Sequence, residues 1–314
     1  MSNAIITDIA TEVASSLAAI KPSKLVRRTV WIKLILAVVP SIAFGVFTVV
    51  FTLQQNAFAA VAREQDQYQA SEQRKQAIFD NCIDVISEIL LSPNFNRSNV
   101  DHLQPIQVKV ITALRRLDSP HKRDIIFYLY ANKLIRGDFP LEFRLDLRGA
   151  DLSEVEFMKS SKTRCNLTNV FLPGILASNI VFSGCELDGS NFEGSVMHRS
   201  QFRNCSLGFA QFLHVNLEQA TFQENLYWKT NFFGSSLVQS SFVGSNVLYF
   251  VNFENVDLFG SDIKADQLFG MHLLNTTNVL LNARLPNGSF MVHSSQLIKD
   301  GGAEQEVKMS RRKE

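Results

Sequence analysis

The sequence predicts a square, all-β solenoid preceded by a membrane-spanning helix and a small α-helical region, and three observations carry that prediction. From Leu147 to Phe242 a large apolar residue recurs at every fifth place except Lys162 and Ala177, a smaller one stands two places before most of these, and residues 34–53 run without a charge. Neither the 3.6-residue period of a helix nor the two-residue alternation of a half-buried strand produces a beat of five.

The N-terminal element comes first. LILAVVPSIAFGVFTVVFTL, residues 34–53, crosses roughly 30 Å of hydrocarbon as a helix. Pro40 and Gly45 suit such a helix, because the bilayer enforces internal hydrogen bonding around a kink, and Trp31 falls where an interfacial ring belongs. Lys21, Lys24, Arg27, Arg28 and Lys33 precede the span, whereas residues 54–73 offer only Arg63 among Glu64, Asp66 and Glu72. The positive-inside rule then expects a cytosolic N-terminus and an extracytosolic remainder. AFA at 57–59 resembles a signal-cleavage site, but the apolar core is long and follows some thirty residues, so an uncleaved single-pass anchor is expected. The expected order is a cytosolic tail over 1–30, a span over 31–54, a helical stalk and cap region over 55–144, the solenoid over 145–268, and a C-terminal cap and disordered tail over 269–314.

The stalk QQNAFAAVAREQDQYQASEQRKQAIF has no proline or glycine and many good helix formers. Ile78, Phe79, Cys82, Ile83, Ile86, Ile89 and Leu90 then keep helical spacing and predict one buried stripe, with Cys82 as a core thiol. A second helix is expected from Pro105, and a third with Ser119 as N-cap and Pro120 at its first position. Arg115, Arg116, His121, Lys122 and Arg123 form a basic cluster that suits either acidic partners and lipid head groups or a solvated helix face.

In the repeats the fifth places read Leu147, Leu152, Phe157, Lys162, Leu167, Leu172, Ala177 and Phe182, then continue through Phe242 with a large apolar residue throughout. A chain that points one large and one small side chain inward every five residues, then turns, makes a square coil of four pentapeptides. Its strand-like sides stack about 4.8 Å apart on the coils above and below. This absorbs most of the 25 phenylalanines, a skew beside two tryptophans and five tyrosines. Phe253, Leu258 and Ile263 keep the step but are offset by one, which predicts a residue inserted between Leu248 and Val251 as a bulge.

LDLRGADL, CELDGSNF and FENVDLFGSDI resemble the A-(D/N)-L-x-x motif of pentapeptide repeat proteins over about 120 residues. The wider layout, one span, then ITALRRLDSPHKRDIIFYLYANKLI, then repeats and a closing LPNGS, is similar to the single-span membrane-anchored eukaryotic members of that family. The resemblance implies a right-handed quadrilateral β-helix and no reaction. Some members mimic DNA, which needs a strongly acidic surface. Residues 141–300 carry 15 acidic and 11 basic side chains, too weak a field for mimicry, so no nucleic-acid partner is expected.

Candidate chemistry is sparse. Cys165, Cys185 and Cys205 are one circuit apart and should stack on an internal corner as small apolar residues. Parallel stacking is not expected to give a disulfide, and no histidine or carboxylate joins them as a metal ligand set. The six histidines lack catalytic spacing, and no nucleophile-elbow, P-loop or dinucleotide motif occurs. No enzyme activity, metal, cofactor or small-molecule substrate is therefore expected. Sequons stand at Asn96, Asn166, Asn204, Asn275 and Asn287, with Asn96 and Asn287 the better candidates for glycosylation because they fall in predicted loops. The place after each large residue should face solvent. It turns apolar at Leu213, Trp228, Phe233, Val238, Val243 and Leu248, and nothing charged occurs between Lys229 and Glu254. Such a collar points to a protein partner, self-association, or cover by the C-terminal segment. The expected function is a membrane-anchored, non-catalytic binding or scaffold protein.

Overall fold

A computed structural model describes residues 24–97, 99–159, 165–245, 248–264, 267–268 and 279–291. Residues up to Ser71 form one compact unit and those from Glu72 a second. Helix α1, Lys24–Leu91, contributes to both.

In the first unit α1 carries an apolar window of mean hydropathy 2.6, none of it buried, and among the described residues it is the one helix long and apolar enough to cross a membrane. Its hydroxyls are turned inward: Ser41, Thr48 and Thr52 each donate to the carbonyl four residues back, at 3.2, 2.8 and 2.8 Å. A hydroxyl satisfied within its own helix is tolerable where the surroundings offer no partner.

In the second unit, the end of α1 packs with α2 (Val100–Leu114) and α3 (Ser119–Ala131) around Cys82, Ile86, Ile106, Val110, Leu114, Ile125, Ile126 and Leu129, all fully buried. Helix α2 begins five residues before Pro105, because Asn99 caps it by accepting the Asp101 N–H at 3.0 Å. Helix α3 takes Asp118, not Ser119, as its N-cap residue. The Ser119 hydroxyl instead accepts the Glu156 N–H at 3.0 Å, and buried Lys122 pairs with Asp151 at 3.0 Å, so α3 is tied to the first coil at two points. Lys122 is therefore neither solvated nor available to an anionic partner.

Asp118 closes the base of this helical region, with Lys75 Nζ at 2.8 Å and His121 Nδ1 at 2.6 Å. Burial pushes its carboxyl up, but the hydrogen bonds from Lys75 and His121 outweigh that and hold it at about 2. A carboxyl lower in the folded than in the unfolded chain, where it titrates near about 4, contributes stability above that value. This contribution is lost as pH falls through about 2. Asp118→Asn is expected to flatten the acid limb of a stability–pH curve between those values, and an unchanged limb would refute the clasp.

The repeats form a stack of square coils. Strands β1 (Glu156–Met158), β3 (Val181–Ser183), β5 (Gln201–Arg203) and β6 (Thr221–Gln223) make one side, all parallel and in the order β1-β3-β5-β6. The second side holds β2 (Cys165–Asn166) with β4 (Cys185–Glu186), and higher up β7 (Tyr227–Trp228) with β8 (Leu248–Tyr249). Single bridges build the other two, Phe171↔Asn191↔Gln211↔Asn231↔Asn252 and Leu176↔Val196↔Asn216↔Ser236↔Asp257.

The period of five has a local cause. At most turns the carbonyl of the large residue accepts the N–H of the next small one, as from Val170 to Leu167 at 3.0 Å and from Ser190 to Leu187 at 3.1 Å. The second of the two residues between them takes a positive φ, 58° at Asn169 and 66° at Gly189. Two extended residues and one such turn complete a side. At Gly189 that φ disfavours a side chain, and Asn169 Oδ1 of the coil below stands where a Cβ would fall and would have to move to admit one.

Inside, Phe157, Phe182, Phe202, Phe222 and Phe242 stack in one column with centroids 5.0–5.3 Å apart. Phe192, Phe212, Phe232 and Phe253 form the facing column at 5.0–5.5 Å. The columns meet edge-on, as Phe202 does with Phe212 at 5.5 Å and 88°. Some polar corner residues are satisfied across coils: Thr230 donates to Leu207 O at 2.8 Å, and Asn225 to Phe202 O at 2.9 Å while accepting the Cys205 N–H at 2.8 Å, whereas the buried Ser190, Ser200 and Ser240 hydroxyls meet no protein partner among the described residues.

Three irregularities depart from the even beat. The first circuit is longer by one pentapeptide, since Glu156 pairs with Val181 whereas Val181 pairs with Gln201; the polar place at Lys162 lies outside the described residues. The later inserted residue lies before Leu248 and not after it, because Leu248 already pairs with Tyr227 and is buried. Pairing also continues past Leu268: Val279 and Arg284 bridge Asn252 and Asp257, and an antiparallel return, Arg284↔Phe290 around a turn at Gly288, closes that side.

Candidate interaction surface

With inward places filled by columns and corners, what the solenoid offers chemically is its outward residues. The six collar positions do not form one surface. Steps of five turn a corner each time, so Trp228, Phe233, Val238 and Val243 lie on four different sides, with Leu213 one coil below Phe233. Trp228 is 45% and Val243 60% exposed, whereas Leu213, Phe233 and Val238 are half-buried. Leu248 is 2% exposed and is not a surface residue, because the insertion before it moves it onto the inward place above Tyr227.

The structure gathers a different set on the side that holds β7 and β8. Phe209 is 51%, Leu226 71% and Trp228 45% exposed there. Trp228 meets Phe250 edge-on at 5.2 Å, and Lys229 Nζ stands 5.8 Å over the Phe209 ring. Leu226 is the outward residue before a large one, and Phe209 and Phe250 occupy turn places with φ of 57° and 53°. Bulky rings are disfavoured at positive φ, where glycine or asparagine is usual. Rings in the turn place, more than the place after each large residue, are the sequence signal for this face. Lower on the same side the surface is acidic, with Glu186 and with Asp188, whose Oδ1 accepts the Ser206 hydroxyl at 2.6 Å and the Gly208 N–H at 2.7 Å.

The cysteine corner corrects an expectation. Cys165 and Cys185 form a disulfide, with Cα atoms 4.6 Å apart. Parallel stacking permits it because consecutive corners bring the two Cα atoms within the ordinary bridging range. Cys205 and Cys82 are free and buried. Burial pushes the Cys82 thiol up to about 11 against the opposing charge of Lys109, and raises Cys205 as well, so neither is an activated nucleophile.

Among the described residues no group of three or more His, Cys, Asp or Glu is placed to hold a metal ion. An open groove of about 490 Å³, lined by Val85, Gln104, Pro105, Val108, Lys109 and Thr112, brings no acid–base pair together. Of the sequons, Asn287 is exposed in the closing turn, where its Oδ1 accepts the Ser289 N–H at 3.0 Å and hydroxyl at 2.7 Å. Asn96 is exposed and its N–H donates to His102 Nδ1 at 2.9 Å. Asn166 and Asn204 lie on exposed solenoid positions, and Asn275 lies outside the described residues.

These features define a parallel β-solenoid of four-sided coils with a filled interior and an aromatic outer face. Residues 155–232 match the family model for the pentapeptide repeat region. Solved structures similar to this chain include a pentapeptide repeat protein from the cyanobacterium Cyanothece, 14% identical, covering 45% of this chain and 92% of its own, with a TM-score of 0.26. The plasmid-mediated fluoroquinolone resistance protein QnrB1 is 20% identical over 45% of this chain and 75% of its own, with a TM-score of 0.22. A pentapeptide repeat protein from the Arabidopsis thaliana thylakoid lumen is 18% identical over 39% of this chain and 70% of its own, with a TM-score of 0.16. No curated protein matches the chain.

Proposed function

We propose that this chain is a single-span membrane protein that presents its pentapeptide repeats outside the cytosol as a non-catalytic binding module. The observation that carries the reading is the exposed cluster of Phe209, Leu226 and Trp228, with Phe250, on one side of the upper coils. Aromatic residues are the usual anchors of protein interfaces, and a rigid solenoid loses little conformational entropy in offering them. With Lys229 among the rings and Glu186 and Asp188 below, the fitting partner is a protein with an apolar patch and a basic rim.

Leu226→Asp with Trp228→Asp is expected to abolish capture of the partner by cross-linking on intact cells while leaving the mass of the protein in detergent unchanged. Loss of a dimer in detergent would instead make the face a self-association surface. Retention of both partner and oligomer would remove the face from consideration, leaving Val243 and the half-buried Leu213, Phe233 and Val238 to be tested side by side.

The orientation rests on the lysines and arginines before the span and on the Cys165–Cys185 bond, since disulfides persist in oxidising compartments and are rare in the cytosol. Glycosidase treatment of membrane-expressed protein is expected to lower its apparent mass, and Asn96→Gln with Asn287→Gln to remove that shift. An unshifted band, with a protease footprint from the cytosolic side, would invert the topology.

A further inference from the structure

The disulfide occupies two rungs of a three-rung ladder. Cys165 pairs in register with Cys185, and Cys205 sits at the same corner one circuit higher, where Glu186 bridges Ser206 and the Ser206 N–H donates to Cys185 O at 3.0 Å. The upper pair therefore repeats the relation that puts Cys165 and Cys185 4.6 Å apart at Cα. All three are almost fully buried, and Cys205 is a free thiol.

We propose that Cys205 is the exchange partner of this disulfide, so that the covalent link moves up one circuit. The Cys205 thiol loses its proton and the thiolate attacks Cys185 Sγ. A Cys185–Cys205 bond forms as the Cys165–Cys185 bond breaks, and Cys165 leaves as thiolate and takes up the proton. No oxidant or reductant is consumed, because one thiol and one disulfide exist before and after.

Each disulfide closes a loop of the same length, one circuit, so the chain-entropy contribution does not favour either and local packing sets the balance. Cys165 and Cys205 are two coils apart, about 9.6 Å at the usual strand spacing, beyond bridging reach, so Cys185 is obligatory to both links. Burial disfavours the Cys205 thiolate in the closed stack, so exchange requires the corner to open, as it does while the coils assemble. The ladder thereby lets the coil correct which neighbour it is tied to without leaving the stack.

The test is a non-reducing peptide map, with differential alkylation, of the full chain purified from membranes. Wild type is expected to give a Cys165–Cys185 linked peptide with Cys205 alkylated only after unfolding, and Cys165→Ser to give Cys185–Cys205 in the majority of molecules. Cys185→Ser is expected to give neither link. Free thiols at both Cys185 and Cys205 in folded, air-oxidised Cys165→Ser would overturn the proposal, as would a Cys165–Cys205 link in Cys185→Ser. Should serine at that corner prevent folding, Cys165→Val fills it as Val170 fills its own corner and gives the same readout.

Discussion

Phe202→Ala is expected to lower the stability of the solenoid by about 3–5 kcal/mol, the range for removing a fully buried aromatic side chain from a packed core. The ring has no exposed surface, stacks on Phe182 and Phe222 at 5.3 and 5.0 Å, and meets Phe212 edge-on at 5.5 Å. Its removal interrupts one column and leaves the other without a facing edge, and backbone ladders above and below keep the coil from collapsing into the space. Because each coil contacts only its neighbours, the damage should divide the stack: amides above residue 202 should exchange independently of those below. Urea unfolding and hydrogen exchange of the full chain in detergent would read both effects. Phe209→Ala is the contrasting substitution, since that ring is half exposed at a positive φ and its loss should change stability by less than about 0.5 kcal/mol. A loss below about 1 kcal/mol for Phe202→Ala would mean that the interior is not packed to the usual density.

The interior was legible because a square coil converts sequence position directly into direction. Once two extended residues and one turn recur, every fifth side chain must point inward, and Leu187, Phe192, Met197, Phe202 and Phe212 are all fully buried. What defeated the reading was any change in count. One residue inserted before Leu248 turned an expected surface position into a core one, and the first circuit is longer by one pentapeptide than those above it.

The outer face was half legible for a related reason. Outwardness repeats every five residues, but sharing a side requires positions one circuit apart. Leu213, Trp228, Phe233, Val238 and Val243 are all outward yet face four ways, whereas Phe209, Leu226, Trp228 and Phe250 lie on one side of successive coils. The parallel arrangement alone gives no sign of the disulfide, and the corner spacing does. Two corners 4.6 Å apart at Cα are within reach whatever the strand direction.

Cys185→Ser should then be the most costly of the three ladder substitutions. The native bond closes a loop of 20 residues, for which the chain-entropy model gives about 3 kcal/mol of stabilisation. Loss of Cys185 removes it with no replacement, because its two neighbours are two coils apart. Cys165→Ser and Cys205→Ser each leave one adjacent pair, so both should stay near wild type in air and fall to the Cys185→Ser level only when reductant is added. Wild type should fall equally far in reductant, which separates the covalent contribution from any effect of serine on corner packing. Unfolding midpoints of the four proteins, each measured with and without reductant, make the comparison. If Cys165→Ser is as unstable in air as Cys185→Ser, the upper pair does not bond and the ladder has a single working rung. If Cys185→Ser matches wild type, the bond adds nothing to a stack already held by its two columns of rings.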